Sequence, residues 1–114
     1  MKEDPILTNL TTELKRGTLT LCVLSQLTEP QYGYSLLQVL CDKQIAIEAN
    51  TLYPLLRRLE SQGLLQSSWD TSEARPRKFY ALSDKGRSLL SDLAAAWREQ
   101  TSQIATLLEE ESHA

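Results

Sequence analysis

The sequence predicts a mainly α, α+β fold: three short helices and a β-hairpin, followed by one long helix. Three observations predict it. Leu52, Leu55, Leu56 and Leu59 fall at i, i+3, i+4 and i+7, with Asn50 before them and Gly63 after them. Two strand-like runs, Leu65 to Trp69 and Arg77 to Leu82, flank a polar stretch from Asp70 to Pro76. Beyond them, Leu90, Leu93, Trp97, Ile104 and Leu107 keep a 4-3 repeat that marks a long helix with one apolar seam.

At 114 residues the chain has room for one modest core. Its 41% apolar and 24% charged residues are ordinary for a soluble globular protein. No apolar run approaches the roughly 20 residues needed to span a bilayer, and the start Met1-Lys2-Glu3-Asp4-Pro5 lacks a secretory stretch. A cytoplasmic location with no membrane partner is the expectation. The net charge of −3 is unevenly divided. Residues 1–50 carry four Lys/Arg against six Asp/Glu, residues 51–87 seven against four, and residues 88–114 one against five. A basic middle is what a polyanion would meet, because binding depends on the local patch.

The first periodic segment runs from about Thr11 to Leu27 and is apolar almost all round near its end, so one largely buried helix is expected there. Thr28-Glu29-Pro30 stops it. A second helix is expected from about Tyr34 to Asp42, and Ile45-Ala46-Ile47-Glu48 alternates enough for one very short strand. The third helix runs from Asn50 to Gln62. Asn50 is its expected N-cap, Pro54 lies within or just after the first turn, and Gly63 is a C′ glycine with Leu64 completing the cap. The hairpin follows, with Pro76 at its margin. Ser83-Asp84-Lys85-Gly86 then caps a helix reaching about Glu110, roughly 40 Å long. This order is a winged helix-turn-helix with a long C-terminal dimerisation helix. Residues 1–83 are expected to form the winged helix-turn-helix domain, read below as DNA-binding, and residues 84–114 the dimerisation helix and tail.

With its leucines turned inward, the third helix presents Asn50, Tyr53 and Arg57 in one row, flanked by Thr51, Arg58 and Ser61. In a major groove, Arg can bond guanine in bidentate fashion and Asn can bond adenine. The bland alternative is an ordinary solvated face. A preceding short helix and a following basic hairpin weigh against it. Arg75, Arg77 and Lys78 lie at or just beyond the hairpin tip, where cations can neutralise phosphates and release counterions.

The last helix is too long to bury its stripe on its own small domain, so a second copy is the natural partner. Leu90, Leu93, Trp97, Ile104 and Leu107 are the expected dimerisation residues, and part of the helix is expected across the first helix of the other subunit. Trp97 stands among Ala94, Ala95, Ala96, Thr101 and Ser102. It reads as a large interface residue or as the site of a small aromatic effector stacked between two indoles. Dimerisation suits a pseudo-palindrome with half-sites about one helical turn apart.

Tyr32-Gly33-Tyr34, Asn50 to Glu60, Gly63-Leu64-Leu65 and Arg75-Pro76-Arg77-Lys78-Phe79-Tyr80-Ala81-Leu82-Ser83 resemble the PadR-like transcriptional regulators, over nearly the whole chain. The resemblance implies a winged-helix dimer joined by its last helix, commonly a repressor of detoxification, efflux or stress genes. The single C-terminal helix resembles the short-tailed, multidrug-responsive branch, in which a tryptophan of that helix stacks flat aromatic drugs; Trp97 matches that position. Two departures stand out. Ser72-Glu73-Ala74 replace the glycines common before the wing arginine, and Asn50 replaces a frequent glycine.

Other classes fare worse. No Ser/His or Cys/His set is available for an enzyme, the four glycines are scattered, and no cofactor is called for. Cys22 and Cys41 lie in apolar helical text at no zinc spacing and read as buried free thiols, with redox sensing as the lesser reading; His113 is next to the end. The rival is a dimeric protein–protein interaction module without sequence-specific DNA binding.

Overall fold

The computed structural model describes residues 4–112, so His113 lies outside the described residues. The elements are α1 (Pro5–Arg16), α2 (Leu19–Ser25), β1 (Gln31–Tyr32), α3 (Gly33–Asp42), α4 (Ala49–Ser61), β2 (Leu65–Asp70), β3 (Arg77–Leu82) and α5 (Asp84–Ser112). The winged helix-turn-helix is therefore present, with α3 and α4 as its two helices and β2–β3 as the wing. Among the described residues, no helix is long and apolar enough to cross a membrane.

The N-terminal expectation is corrected. Instead of one helix from Thr11 to Leu27, two helices meet at Gly17 and Thr18. The start of α1 follows from its first residues. The Asp4 carboxylate accepts the Ile6 amide at 2.8 Å, and Pro5 fills the first helical position, where a missing N–H costs least. At the break, the Thr18 amide and hydroxyl both turn back to the Lys15 carbonyl, at 3.1 and 3.0 Å. Only α2 enters the core, through Val23 and Leu24; α1 buries nothing.

The core joins Val23, Leu24 and Leu27 to Leu36 and Leu40 of α3, to Leu52, Leu55, Leu56 and Leu59 of α4, and to Leu64, Leu65, Tyr80 and Leu82 around the hairpin. Among the described residues it holds no buried polar or charged side chain. Ile45 to Glu48 form no strand, a second correction. Gln44 takes a left-handed conformation (φ 66°), and the Ile45 amide bonds the Leu40 carbonyl at 2.8 Å. That segment has no strand to pair with, and Ile47 is buried as part of the turn between the two helices. The short strand is Gln31–Tyr32 instead, antiparallel to β3, and the sheet order is β1-β3-β2.

The third correction concerns the start of α4. Glu48, not Asn50, is the capping residue: its carbonyl accepts the Thr51 and Leu52 amides at 3.0 and 2.9 Å. Asn50 is left exposed in the first turn. Pro54 has no N–H for the Asn50 carbonyl, so that acceptor stays outside the helical ladder. At the other end Gly63 is left-handed (φ 81°). Its amide bonds Glu60 and the Leu64 amide bonds Leu59, both at 3.0 Å, closing a Schellman motif.

Ser83 joins the wing to α5. Its hydroxyl donates to the Gly63 carbonyl at 2.6 Å and accepts from the Gly86 amide at 3.0 Å. The first turns of α5 pack on α2, and Leu90 lies against the domain's own core. Neither cysteine is in the core as expected: Cys22 is half-buried and Cys41 exposed.

Leu56 is 0% exposed at the centre of this packing. Leu56→Ala should lower unfolding stability by about 2–5 kcal/mol, read from denaturant midpoints at fixed protomer concentration. A loss under about 1 kcal/mol would show that α4 is not the packing centre.

Candidate nucleic-acid interface

The 3.6-residue period divides α4 cleanly. Leu52, Leu55, Leu56 and Leu59 are buried; Asn50, Thr51, Arg57, Arg58 and Ser61 are exposed. Tyr53 is half-buried between them and packs on the core. Its ring rests on Gly33, at the start of α3. A Cβ at that glycine would stand 2.5 Å from Tyr53 Cε1, so glycine here leaves room for the ring in this position. Arg57, Arg58 and Arg75 have no ion-pair partner among the described residues.

The wing arranges its cations by a different period. Successive residues of a strand face opposite ways, so the adjacent Arg77 and Lys78 cannot act as one cluster. The register pairs Leu65 with Leu82, Ser67 with Tyr80 and Trp69 with Lys78. Tyr80 and Leu82 are in the core, so Lys78 lies on the α4 side of the ribbon, where its ammonium donates to Glu60 at 3.2 Å. Arg77, Phe79 and Asp70 lie on the other side. The sequence expectation had placed Lys78 with the arginines; the fold separates them.

On that outer side, Tyr32 of β1 stacks on Phe79 with ring centroids 3.9 Å apart, and the Arg77 guanidinium lies 4.4 Å above the Tyr32 ring. Arg77 also pairs with Glu73 at 2.9 Å. The Tyr32 hydroxyl donates to Asp70 at 2.9 Å, which pushes the phenol's own pKa up. Asp70 accepts the Ser72 amide at 2.9 Å as well, the Asx arrangement that starts the wing turn. Hydrogen bonds from the Ser72 hydroxyl and amide, then from Tyr32, with the charge of Arg77 behind them, bring the Asp70 pKa down to about 2. The wing therefore makes its turn without glycine, and among the described residues its backbone nowhere takes a positive φ.

One further aromatic side chain stands outside the core on α3. Tyr34 is exposed next to Gly33, and its hydroxyl accepts from Gln38 Nε2 at 3.0 Å. A tyrosine left outside a leucine-rich helical face was the available signal. Elsewhere, a cavity of about 480 Å³ opens between α1, α2 and the α3–α4 turn, with Lys15, Arg16 and Thr51 among its lining residues. Trp97 is not one of them. It is 44% exposed on α5, in line with exposed Leu93, Ile104 and Leu107, while Ile6, Leu7, Leu10 and Leu14 are exposed on α1.

Comparison with known proteins agrees with this geometry. The family described as "Transcriptional regulator PadR-like family" matches residues 20–92, well over half of the chain. A PadR family transcriptional regulator from Eggerthella lenta DSM 2243 is 52% identical, with a TM-score of 0.87 over 91% of this chain and 93% of that one. A PadR-like transcription factor from Bacteroides fragilis is 35% identical, with a TM-score of 0.74 over 87% and 98% of the two chains. A transcriptional regulator of Mycobacterium tuberculosis is 30% identical over 81% of this chain and 87% of its own length.

The Asp70 carboxyl sets a pH dependence of definite sign. Its folded pKa is below the ordinary carboxylate value, so its contribution is present above about pH 4 and fades as pH falls towards 2. Carboxyl NMR should show Asp70 titrating near 2, with the Tyr32 and Phe79 ring resonances shifting in step. Titration near pH 4 would mean the wing turn is not held by this residue.

Proposed function

This chain belongs to the PadR-like family of transcriptional regulators, and on that premise we propose that it is a cytoplasmic repressor that binds a pseudo-palindromic operator as a homodimer. The observation that carries this reading is the face of α4 opposite its four buried leucines, where Asn50, Thr51, Arg57 and Arg58 are all exposed. Arg57 and Asn50 are the base-reading residues, since they can make bidentate bonds to guanine and adenine. Tyr53, fixed against Gly33, and Thr51 contact the backbone or a thymine methyl. Arg75 and Arg77 neutralise phosphates from the wing. Arg77 already has the geometry of an anion contact, with Glu73 in the phosphate's place.

Dimerisation is supported by the apolar surface that α1 and α5 leave in water, through Ile6, Leu7, Leu10 and Leu14 on one helix and Leu93, Trp97, Ile104 and Leu107 on the other. Rows of large apolar residues on a helix face are rarely left in water by single-copy proteins. Leu90 shares itself between this seam and its own core. A second α5 would bring the two Trp97 indoles near each other among small residues, and a flat aromatic effector stacked there would alter the spacing of the two α4 helices.

The duplex upstream of the chain's own coding sequence is the probe. Affinity should fall steeply with salt, and Arg57→Ala should weaken it by about 5- to 150-fold, the worth of one bidentate base contact. A wild-type protein with no preference over random duplex at any salt would sink the DNA reading and favour a protein–protein module. For the effector, Trp97→Ala should abolish quenching by planar aromatics in a protein that remains dimeric. Quenching that survives would place the ligand near Trp69, the other indole.

A further inference from the structure

Glu60 is the single carboxylate of α4, in its last turn. It is also the only α4 side chain that hydrogen-bonds the wing among the described residues. The Ser67 hydroxyl of β2 donates to Glu60 Oε2, and the Lys78 ammonium of β3 donates to Oε1 at 3.2 Å. One carboxylate thus grips both strands of the hairpin. The two charged side chains are each about three-tenths exposed, at 27% for Lys78 and 32% for Glu60. The Lys78 ammonium also lies 5.1 Å from the Tyr80 ring and 5.9 Å from the Trp69 ring, both on the same side of the ribbon.

Electrostatics keep the contact charged. The Ser67 hydrogen bond, then Lys78, hold the Glu60 pKa down against burial, while Glu60 pushes the Lys78 pKa up. Swinging Lys78 out to a phosphate would break its hydrogen bond to Glu60 and leave that carboxylate with Ser67 alone. Leu65 and Leu82 anchor the base of the strands, and Tyr32 of β1 braces their outer side through Phe79 and Asp70. On the opposite side, facing α4, the polar brace is Glu60.

We propose that Glu60 and Lys78, with Ser67, form a strut that sets the angle of the wing on α4, so that both are positioning residues and Lys78 touches no phosphate. This rests on the DNA-binding reading above, and it assigns Lys78 a different part from that of Arg75 and Arg77.

The test compares Lys78→Met, Glu60→Gln and the charge-swapped double variant E60K/K78E with Arg75→Ala, all in the full chain, on the upstream duplex across a salt series. Both single strut variants should weaken binding by about 3- to 30-fold, in the range of coupled neighbours, and the swapped pair should recover most of the loss. The salt dependence of Lys78→Met should match wild type, whereas that of Arg75→Ala should become shallower by about one counterion. In the free protein, hydrogen exchange at the β3 amides should quicken in both single variants and slow again in the swap. A Lys78→Met slope shallower by about one, with Glu60→Gln binding as wild type, overturns the strut and makes Lys78 a phosphate contact. If wild type itself shows no sequence preference, the DNA reading falls. The exchange data then decide the strut alone, and unchanged exchange overturns it.

Discussion

The exposed face of α4 is placed by the burial of four leucines. Leu52, Leu55, Leu56 and Leu59 fill the space between α2, α3 and the base of the hairpin. Because an α-helix cannot turn one face inward without turning the other outward, that packing aims Asn50, Thr51, Arg57 and Arg58 away from the domain. The glycine cap at Gly63 then returns the chain sharply enough for Leu64 and Leu65 to rejoin the same core. The wing starts from there, so its origin is tied to the end of α4 by covalent geometry and by packing together.

The sequence was most legible where one period ran long enough to be counted. The leucines of α4, the two hairpin strands and the extent of α5 all lie where periodicity put them. Boundaries set by hydrogen bonds were less legible. Asn50 looked like a cap because of its side chain, yet the Glu48 carbonyl closes the first turn and no side chain caps it. At the N-terminus the sequence does carry a boundary signal. Asp4-Pro5 is a capping residue followed by a first-turn proline, and α1 begins there. β1 is two residues long, too short for any period to appear, and only its partner on β3 makes it a strand.

The candidate interface divides in the same way. The exposure of the α4 residues could be counted from the leucines. The wing cations could not be read as a group, because Arg77 and Lys78 are neighbours in sequence and opposites in a strand. Alternation alone would have separated them, since Tyr80 and Leu82 are apolar and Lys78 shares their side. Arg77 meets Glu73 four residues away, but the contacts of Glu60 with Lys78 and of Tyr32 with Asp70 join residues distant in sequence, and no local pattern carries those.

The wing turn contains Ser72, Glu73 and Ala74 where glycines are common in the family, and the chain compensates with an Asx turn at Asp70 and the Glu73–Arg77 pair. Glycine contributes backbone freedom that is lost when a loop is ordered against a surface. A ribbon already folded onto Tyr32 and closed by its own side chains has less of that freedom to lose. In the proposed docking on DNA such a ribbon would lose less conformational entropy, while Arg77 would exchange its carboxylate for a phosphate. The cost of that contact would then fall on a single ion pair rather than on the backbone.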